Sequence, residues 1–203
     1  MRLKLGKFPL ERLFFTADTH FDHKLMLEPE PRGCGRPFGD IDVMREELIS
    51  LWNQKVPKNG LVIHAGDLAW KNMAYYLEQL NGDIILVEGN HDRVNSAAKK
   101  LLRSYCELLH LSVTLPGVKI EKIYMAISHY PMRSWWRSCH GSWHLHGHSH
   151  GKGNSWRKSL DIGVDAVKRP PSWRFAQLPN GVALRPYTPL SFREVYWLMK
   201  GTL

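Results

Sequence analysis

Aspartate and histidine recur together in five short polar motifs of this 203-residue chain. Carboxylate and imidazole groups bind Mn²⁺, Fe²⁺, Zn²⁺ and Co²⁺ without help from a thiolate. Histidine is also abundant, with eleven residues in the chain and five of them between His140 and His150. Each motif is common by itself, but five in one chain predict a metal site. In chain order they are Asp18-Thr19-His20, Gly66-Asp67, Gly89-Asn90-His91-Asp92, Ser128-His129 and Gly147-His148-Ser149-His150.

Each motif follows a segment that is typical of a β-strand. Short apolar runs at 13–16, 60–64 and 83–87 predict three buried strands, and residues 121–128 and 143–146 predict two more. The first three strands alternate with predicted helices. In such α/β sheets the carboxyl ends of the strands share one edge, where ligands bind. We therefore expect the first three motifs to converge at one edge of a sheet.

The remaining pattern is α/β in the first half of the chain and mostly β in the second. Asp40 is a favourable N-cap for a helix that we expect to end near Lys55. Residues 22–40 are rich in glycine and proline and predict a long irregular loop, which is often functional. With no repeat and no linker, residues 1–203 are expected to form one domain. Further predicted helices cover residues 73–80, 96–105 and 192–199, and further predicted strands cover residues 109–115, 160–164 and 182–185.

In this order, the five motifs resemble the signature of the calcineurin-like metallophosphoesterase superfamily. The resemblance covers residues 13 to about 165, and segments 15–21 and 144–151 are similar to a small bacterial and phage branch. It implies an α/β fold in which two mixed β-sheets pack as a sandwich flanked by helices on both sides. The metal site would lie at one sheet edge. Residues 166–203 carry no part of the resemblance.

The resemblance implies two divalent cations with a water or hydroxide between them. Mn²⁺ is the first expectation, with Fe²⁺, Zn²⁺, Ni²⁺ or Co²⁺ as alternatives, because such ligands accept several metals. A shared carboxylate can hold two cations about 3.5–4 Å apart. All seven family ligands are present: Asp18, His20 and His150 for the first metal, Asn90, His129 and His148 for the second, and Asp67 as the bridge.

His91 and Asp92 are the expected catalytic residues. His91 follows a ligand, and by the family pattern it is expected to meet the phosphoryl or leaving-group oxygen as a general acid or charge stabiliser. Asp92 is expected to orient His91 and to favour its protonated form. Asp161 and Asp165 follow the last ligands, and they either support the site through hydrogen bonds or are only turn residues.

The resemblance implies hydrolysis of phosphate esters, and the composition favours phosphodiesters of nucleotides or nucleic acid. The net charge is +9, and residues 151–203 hold nine basic against three acidic residues, which suits a polyanionic partner. Arginines and tryptophans lie together after His129, where they could stack on bases and bind phosphates. Alternatively, the tryptophans cover the edge of the core. The candidate substrate contacts are His23, Arg133, Trp135 and Arg137.

Three other functions are compatible with the same residues, and one of them is an RNA- or DNA-binding protein for which the site is incidental. A phosphomonoesterase acting on a phosphoprotein or a small molecule would carry the same ligand set. A non-catalytic interaction module on the same fold would be marked by the loss of a ligand, and none is lost.

Composition excludes a membrane protein and favours the cytoplasm. The longest apolar runs are far shorter than a membrane span. The three cysteines contain no CxxC pair, which favours reduced thiols in the cytoplasm. The sequence does not specify an oligomeric state.

Overall fold

A computed structural model describes residues 1–115, 121–153, 158–166 and 184–200 of the chain. Most of the helices and strands that the sequence predicts are present, with ends shifted by a few residues. The helices are α1 (Ile41–Lys55), α2 (Met73–Gln79), α3 (Ser96–Leu101) and α4 (Phe192–Lys200). The strands are β1 (Arg2–Leu5), β2 (Leu13–Thr16), β3 (Leu61–His64), β4 (Asp83–Val87), β5 (Ser104–Cys106), β6 (Leu108–Leu115), β7 (Glu121–Ser128), β8 (Trp143–His146), β9 (Ser159–Asp161) and β10 (Leu190–Ser191).

The strands form two mixed five-stranded sheets, ordered β1-β6-β7-β8-β9 and β10-β2-β3-β4-β5. In the second sheet, β2, β3, β4 and β5 are parallel and β10 pairs antiparallel with β2. In the first sheet, β6 and β7 are antiparallel and the other pairs are parallel. The expected α/β sandwich of two mixed sheets flanked by helices is therefore confirmed.

The central strands of the second sheet are buried on both faces, because alternate side chains point into two different cores. Phe15, Ile63 and Val87 point into a core shared with the first sheet. Phe14 and Val62, on the opposite face, pack beneath α1, α2 and α3. Strands covered on both faces become continuous apolar runs, which is the pattern that the sequence carries at 13–16, 60–64 and 83–87.

Three predicted boundaries are wrong. The helix expected over 96–105 ends at Leu101, because Ser104–Cys106 pairs with Ile85–Val87 as the edge strand β5. The strand expected over 160–164 is Ser159–Asp161, and Gly163 makes only an isolated bridge to Ala17. The strand expected over 182–185 lies partly outside the described residues, and residues 184 and 185 are not in a strand.

The loop over residues 22–40 is ordered around one short helix and leads into α1. A 3₁₀ turn covers Lys24–Leu27. The carboxylate of Asp40 accepts hydrogen bonds from the amides of Asp42 and Val43, which confirms the predicted N-cap. Within the described ranges, no helix has the length and apolar character needed to cross a bilayer.

Candidate metal centre

Hydrogen bonds donated by backbone amides join the five motifs, which follow β2, β3, β4, β7 and β8; the amide of Gly147, for example, donates to the carbonyl of His129 over 3.0 Å. The amides of Asp18 and His20 donate to the carbonyls of Gly66 and Asp67. The amide of His148 donates to Asp18 Oδ1 over 3.0 Å. The amide of His91 donates to Asp67 Oδ1 over 2.9 Å. The first three motifs therefore meet at the edge of the second sheet, as the sequence predicts, and the two motifs that follow β7 and β8 join them from the first sheet.

One half of the cluster, which we call the first trio, contains Asp18, His20 and His150. One ligand atom from each residue lies within 4.8 Å of the other two. The rings of His20 and His150 stack with centroids 5.1 Å apart. These residues belong to the first and last motifs. The two motifs are in contact through His148 and Asp18, which are 130 positions apart in the sequence.

The other half, the second trio, contains Asn90, His129 and His148. His129 Nε2 lies 2.9 Å from Asn90 Oδ1 and 3.2 Å from His148 Nδ1. His148 Nδ1 lies 3.1 Å from Asn90 Oδ1. Adjacent ligands of an octahedral cation with bonds of about 2.1 Å are separated by about 3.0 Å. The three atoms thus have the spacing of ligands on one face of such an ion.

Asp67 lies between the two trios. Its Oδ2 is 3.4 Å from Nε2 of His20 and also 3.4 Å from Nε2 of His129. The cluster of Asp18, Asp67 and His129, with ligand atoms within 4.8 Å of one another, also joins the two halves. This is the location that a carboxylate shared by two cations requires.

The hydrogen bonding of the ligands fits cation binding. Asp18 Oδ2 and His20 Nε2 are buried and have no hydrogen-bond partner among the described residues. Buried polar atoms are normally paired, so orphaned atoms point to an ion. His129 Nδ1 lies 2.9 Å from the carbonyl of Ala65, which can only accept. His129 therefore carries a proton on Nδ1, and in its neutral form Nε2 presents a lone pair to the cluster.

Burial and neighbouring charged groups together set the pKa values of the first trio. It raises the pKa of Asp18 to about 7, although His150 and His129 oppose the shift. Burial also lowers the pKa of His20 well below its usual value. Burial alone would lower the pKa of His150, but hydrogen bonds to Asp165 and Cys34 and the charge of Asp18 raise it to about 10. His150 is therefore protonated near neutral pH in the metal-free protein.

Arg36, in the loop before α1, supports the first trio. Its guanidinium is buried and donates to both carboxylate oxygens of Asp165 over 3.0 and 2.8 Å. It also donates to the backbone carbonyls of Asp18 and Thr19 over 2.6 and 2.7 Å. Asp165 Oδ2 in turn lies 2.8 Å from His150 Nδ1. Of the two roles that the sequence allows for Asp165, support of the site and a turn residue only, these hydrogen bonds favour the first.

Asp92 has different partners from those expected. Its carboxylate accepts from the amides of Asp67, Leu68 and Gly89 over 2.8–2.9 Å. The ring contacts of His91 are instead with the rings of His20, His23 and Trp70. The expectation that Asp92 orients His91 through its side chain is therefore corrected: Asp92 holds the backbone of residues 67, 68 and 89.

The candidate substrate contacts divide into two groups. His23 lies at the site, with Nδ1 3.1 Å from His20 Nδ1. Trp135 stacks on His144 and donates to Ser142, while Arg137 lies over the rings of Tyr124 and Trp136. These contacts lie on the outer face of the first sheet and favour the reading in which this segment covers the core. Arg133 is exposed.

Two residues near the site, Arg36 and Trp70, lie outside every motif of the sequence. Arg36 is a single arginine inside an irregular loop, and its partner Asp165 is 129 positions away. Trp70 follows the Gly66-Asp67 motif, and its ring stacks on His23 with centroids 4.3 Å apart. Its position in the sequence, three residues after Asp67, is the feature that could have predicted its place near the site.

The chain is similar in sequence and in fold to known proteins. The profile of the calcineurin-like phosphoesterase family matches residues 11–159, which include all five motifs. The uncharacterised protein MJ1445 of Methanocaldococcus jannaschii is 28% identical over 174 residues, or 80% of this chain and 86% of that protein. The crystal structure of AQ665, a protein of unknown function from Aquifex aeolicus, has a TM-score of 0.57 and 18% identity, and the match covers 92% of this chain and 98% of that one. At this identity the structural likeness supports the fold alone.

Arg36→Lys is expected to weaken one metal site more than the other. Lysine keeps the charge but cannot donate in parallel to Asp165 while holding two carbonyls. Losing such a supporting contact commonly lowers metal affinity about 10- to 100-fold. Calorimetric Mn²⁺ titration should therefore resolve one weakened and one unchanged equivalent, with Arg32→Lys in the same loop as the control. Equal weakening of both equivalents, or of neither, would contradict this role.

Metal affinity is expected to rise with pH. The pKa of His150 is raised to about 10, so its proton competes with a cation at every pH below that value. Each proton released makes the affinity about tenfold greater per pH unit. Calorimetry at pH 6.5, 7.5 and 8.5, in buffers of different ionisation enthalpy, should detect at least one proton released. Asp165→Asn should reduce that number, and a flat pH dependence would disprove the assignment.

Proposed function

Because this chain belongs to the calcineurin-like phosphoesterase family, we propose that it is a two-metal hydrolase of phosphate esters acting on phosphodiesters. The observation that carries the proposal is the position of Asp67 Oδ2, which is 3.4 Å from His20 Nε2 and from His129 Nε2. Asp18, His20 and His150 would bind one cation, Asn90, His129 and His148 the other, and Asp67 both. Mn²⁺ is the first candidate among the divalent cations that accept oxygen and nitrogen donors.

Bound in this cluster, two divalent cations would acidify a water molecule and withdraw negative charge from the phosphate oxygens. The chain supplies the geometry for this chemistry. The loops that carry the trios are fixed by Arg36 and Asp92, so the ligand atoms need little rearrangement. The reaction adds the oxygen of water to phosphorus and breaks one phosphorus–oxygen ester bond, giving a phosphomonoester and an alcohol.

His91 is proposed to deliver the proton to the leaving oxygen. Its backbone amide is fixed by Asp67 Oδ1, and its ring lies 5.5 Å from the ring of His20. The ring is partly exposed, so it can reach a bound ester and recover its proton from solvent.

A phosphodiester substrate is favoured by charge. The net charge of +9 attracts polyanions. A nucleotide or a nucleic acid is the partner that this charge suits best. A phosphomonoesterase remains the competing outcome of the assay. The three cysteines form no disulfide, which agrees with a proposed cytoplasmic location.

Asp67→Asn is expected to abolish hydrolysis. Asparagine presents a neutral oxygen, which binds two cations far less well than a carboxylate, and the rate should fall at least about 1,000-fold. The assay compares a nitrophenyl diester with the monoester, each with Mn²⁺, Ni²⁺ and Zn²⁺. Faster turnover of the monoester would reverse the substrate proposal. Residual activity in Asp67→Asn comparable to wild type would reject the two-metal mechanism.

His91→Asn is expected to reduce turnover about 100- to 10,000-fold while leaving metal content unchanged, because His91 is proposed to transfer a proton and not to bind metal. Metal content is measured by mass spectrometry after gel filtration. The loss should be smaller for a diester with a nitrophenolate leaving group, which needs no protonation. Parallel loss of metal and activity would place His91 among the ligands instead.

A further inference from the structure

Two exposed aromatic side chains flank the metal centre on different sides. Trp70 is 41% exposed and Tyr130 is 50% exposed. Each lies close in sequence to a proposed ligand, since Trp70 follows Asp67 by three positions and Tyr130 directly follows His129. Tyr130 contacts the proposed ligands His129 and His148, and Trp70 contacts His23 and His91, so the exposed surface of each ring borders the place where a phosphate would bind.

Trp70 lies beside the first trio and the proposed proton donor. Its ring stacks on His23 with centroids 4.3 Å apart and an angle of 11°, and His23 contacts His20. The ring of His91 lies 5.1 Å away. The amide of Trp70 donates to the carbonyl of Phe21 over 2.8 Å, which fixes the backbone. The indole is therefore preorganised, with His23 on one face and exposed surface beyond.

Tyr130 lies beside the second trio. Its ring contacts the rings of His129 and His148, with centroids 5.1 and 4.6 Å apart and interplanar angles of 72° and 60°. Ser128 Oγ donates to the carbonyl of Tyr130 over 2.8 Å and holds this turn. Half of the surface of Tyr130 is nevertheless exposed and available to a ligand.

A phosphate held over Asp67 would have one substituent towards each ring. A monoester has only one substituent and would leave one ring unused, whereas a diester has two. Aromatic side chains that border a phosphate site are typical partners for unpaired bases, because every base has a face that stacks. In a duplex the bases are already stacked on each other and are not available.

We propose that the substrate is a phosphodiester with an unpaired base on each side of the scissile phosphate, as in single-stranded nucleic acid or a dinucleotide. The inference rests on the proposed function. Trp70 stacks on the base of the leaving nucleoside, since it lies beside His91, and Tyr130 stacks on the base of the nucleoside that keeps the phosphate. The two rings determine specificity and take no part in the bond-breaking step.

The test uses four synthetic dinucleotides, which carry a base on both sides, on the leaving side only, on the retained side only, or on neither, with abasic sugars elsewhere. Alanine substitution of a stacking ring typically weakens binding about 5- to 150-fold per base. Trp70→Ala should lower kcat/KM by this factor only for the two substrates with a leaving-side base. Tyr130→Ala should do so only for the two with a retained-side base.

The controls separate stacking from other effects. Trp70→Phe keeps a smaller ring and should recover part of the loss, and Tyr75→Ala removes a tyrosine that is 52% exposed in α2 and should change nothing. Equal loss on all four substrates, or no loss, would overturn the stacking role. If wild type cleaves the abasic diester as well as the full dinucleotide, the inference fails while the proposed function stands. If it cleaves none of them and no nitrophenyl diester, both fail.

Discussion

The buried ion pair between Arg36 and Asp165 is the interaction on which the first trio depends. Burying two charges is expensive, and removing one partner of such a pair costs about 3–5 kcal/mol. Here hydrogen bonds compensate the cost of burial, because Arg36 donates to both carboxylate oxygens of Asp165 and to two backbone carbonyls. Burial would raise the pKa of Asp165, but Arg36 and His150 hold it well below its usual value. Asp165 therefore stays ionised and fixes the ring of His150.

The backbone of the site explains why such support is needed. Most of the proposed ligands have positive φ angles, which cost of order 1–3 kcal/mol each for residues other than glycine. Arg36 holds the strained first loop by its carbonyls, and Asp92 holds the second loop by its amides. The positive charge of Arg36 thus stabilises carbonyl groups of one loop, and the negative charge of Asp92 stabilises amide groups of the neighbouring loop. The ligands with φ between 47° and 66° are Asp18, His20, Asp67, His148 and His150.

The sequence predicts the residues that come together but not the contacts that hold them there. Asp18 and Asp67 directly follow apolar strand segments, so local pattern and the rule for parallel sheets are enough to place them. Arg36 and Asp165 lie 129 positions apart, and nothing local pairs them. The helix predicted for residues 104 and 105 is wrong for the same reason, since β5 is defined by its pairing with β4. The stacking of Trp135 on His144 likewise depends on a neighbouring strand.

Charge explains why a neutral ligand belongs in this site. The proposed ligands contribute only two carboxylates, Asp18 and Asp67, against imidazoles and the amide of Asn90. Two divalent cations would therefore keep a net positive charge after coordination, which stabilises an anionic ester and the charge that develops during its hydrolysis. An aspartate in place of Asn90 would reduce that charge and weaken phosphate binding. The exposed rings of Trp70 and Tyr130 add recognition without adding charge, so attraction to phosphate and selection of its substituents are carried by different residues.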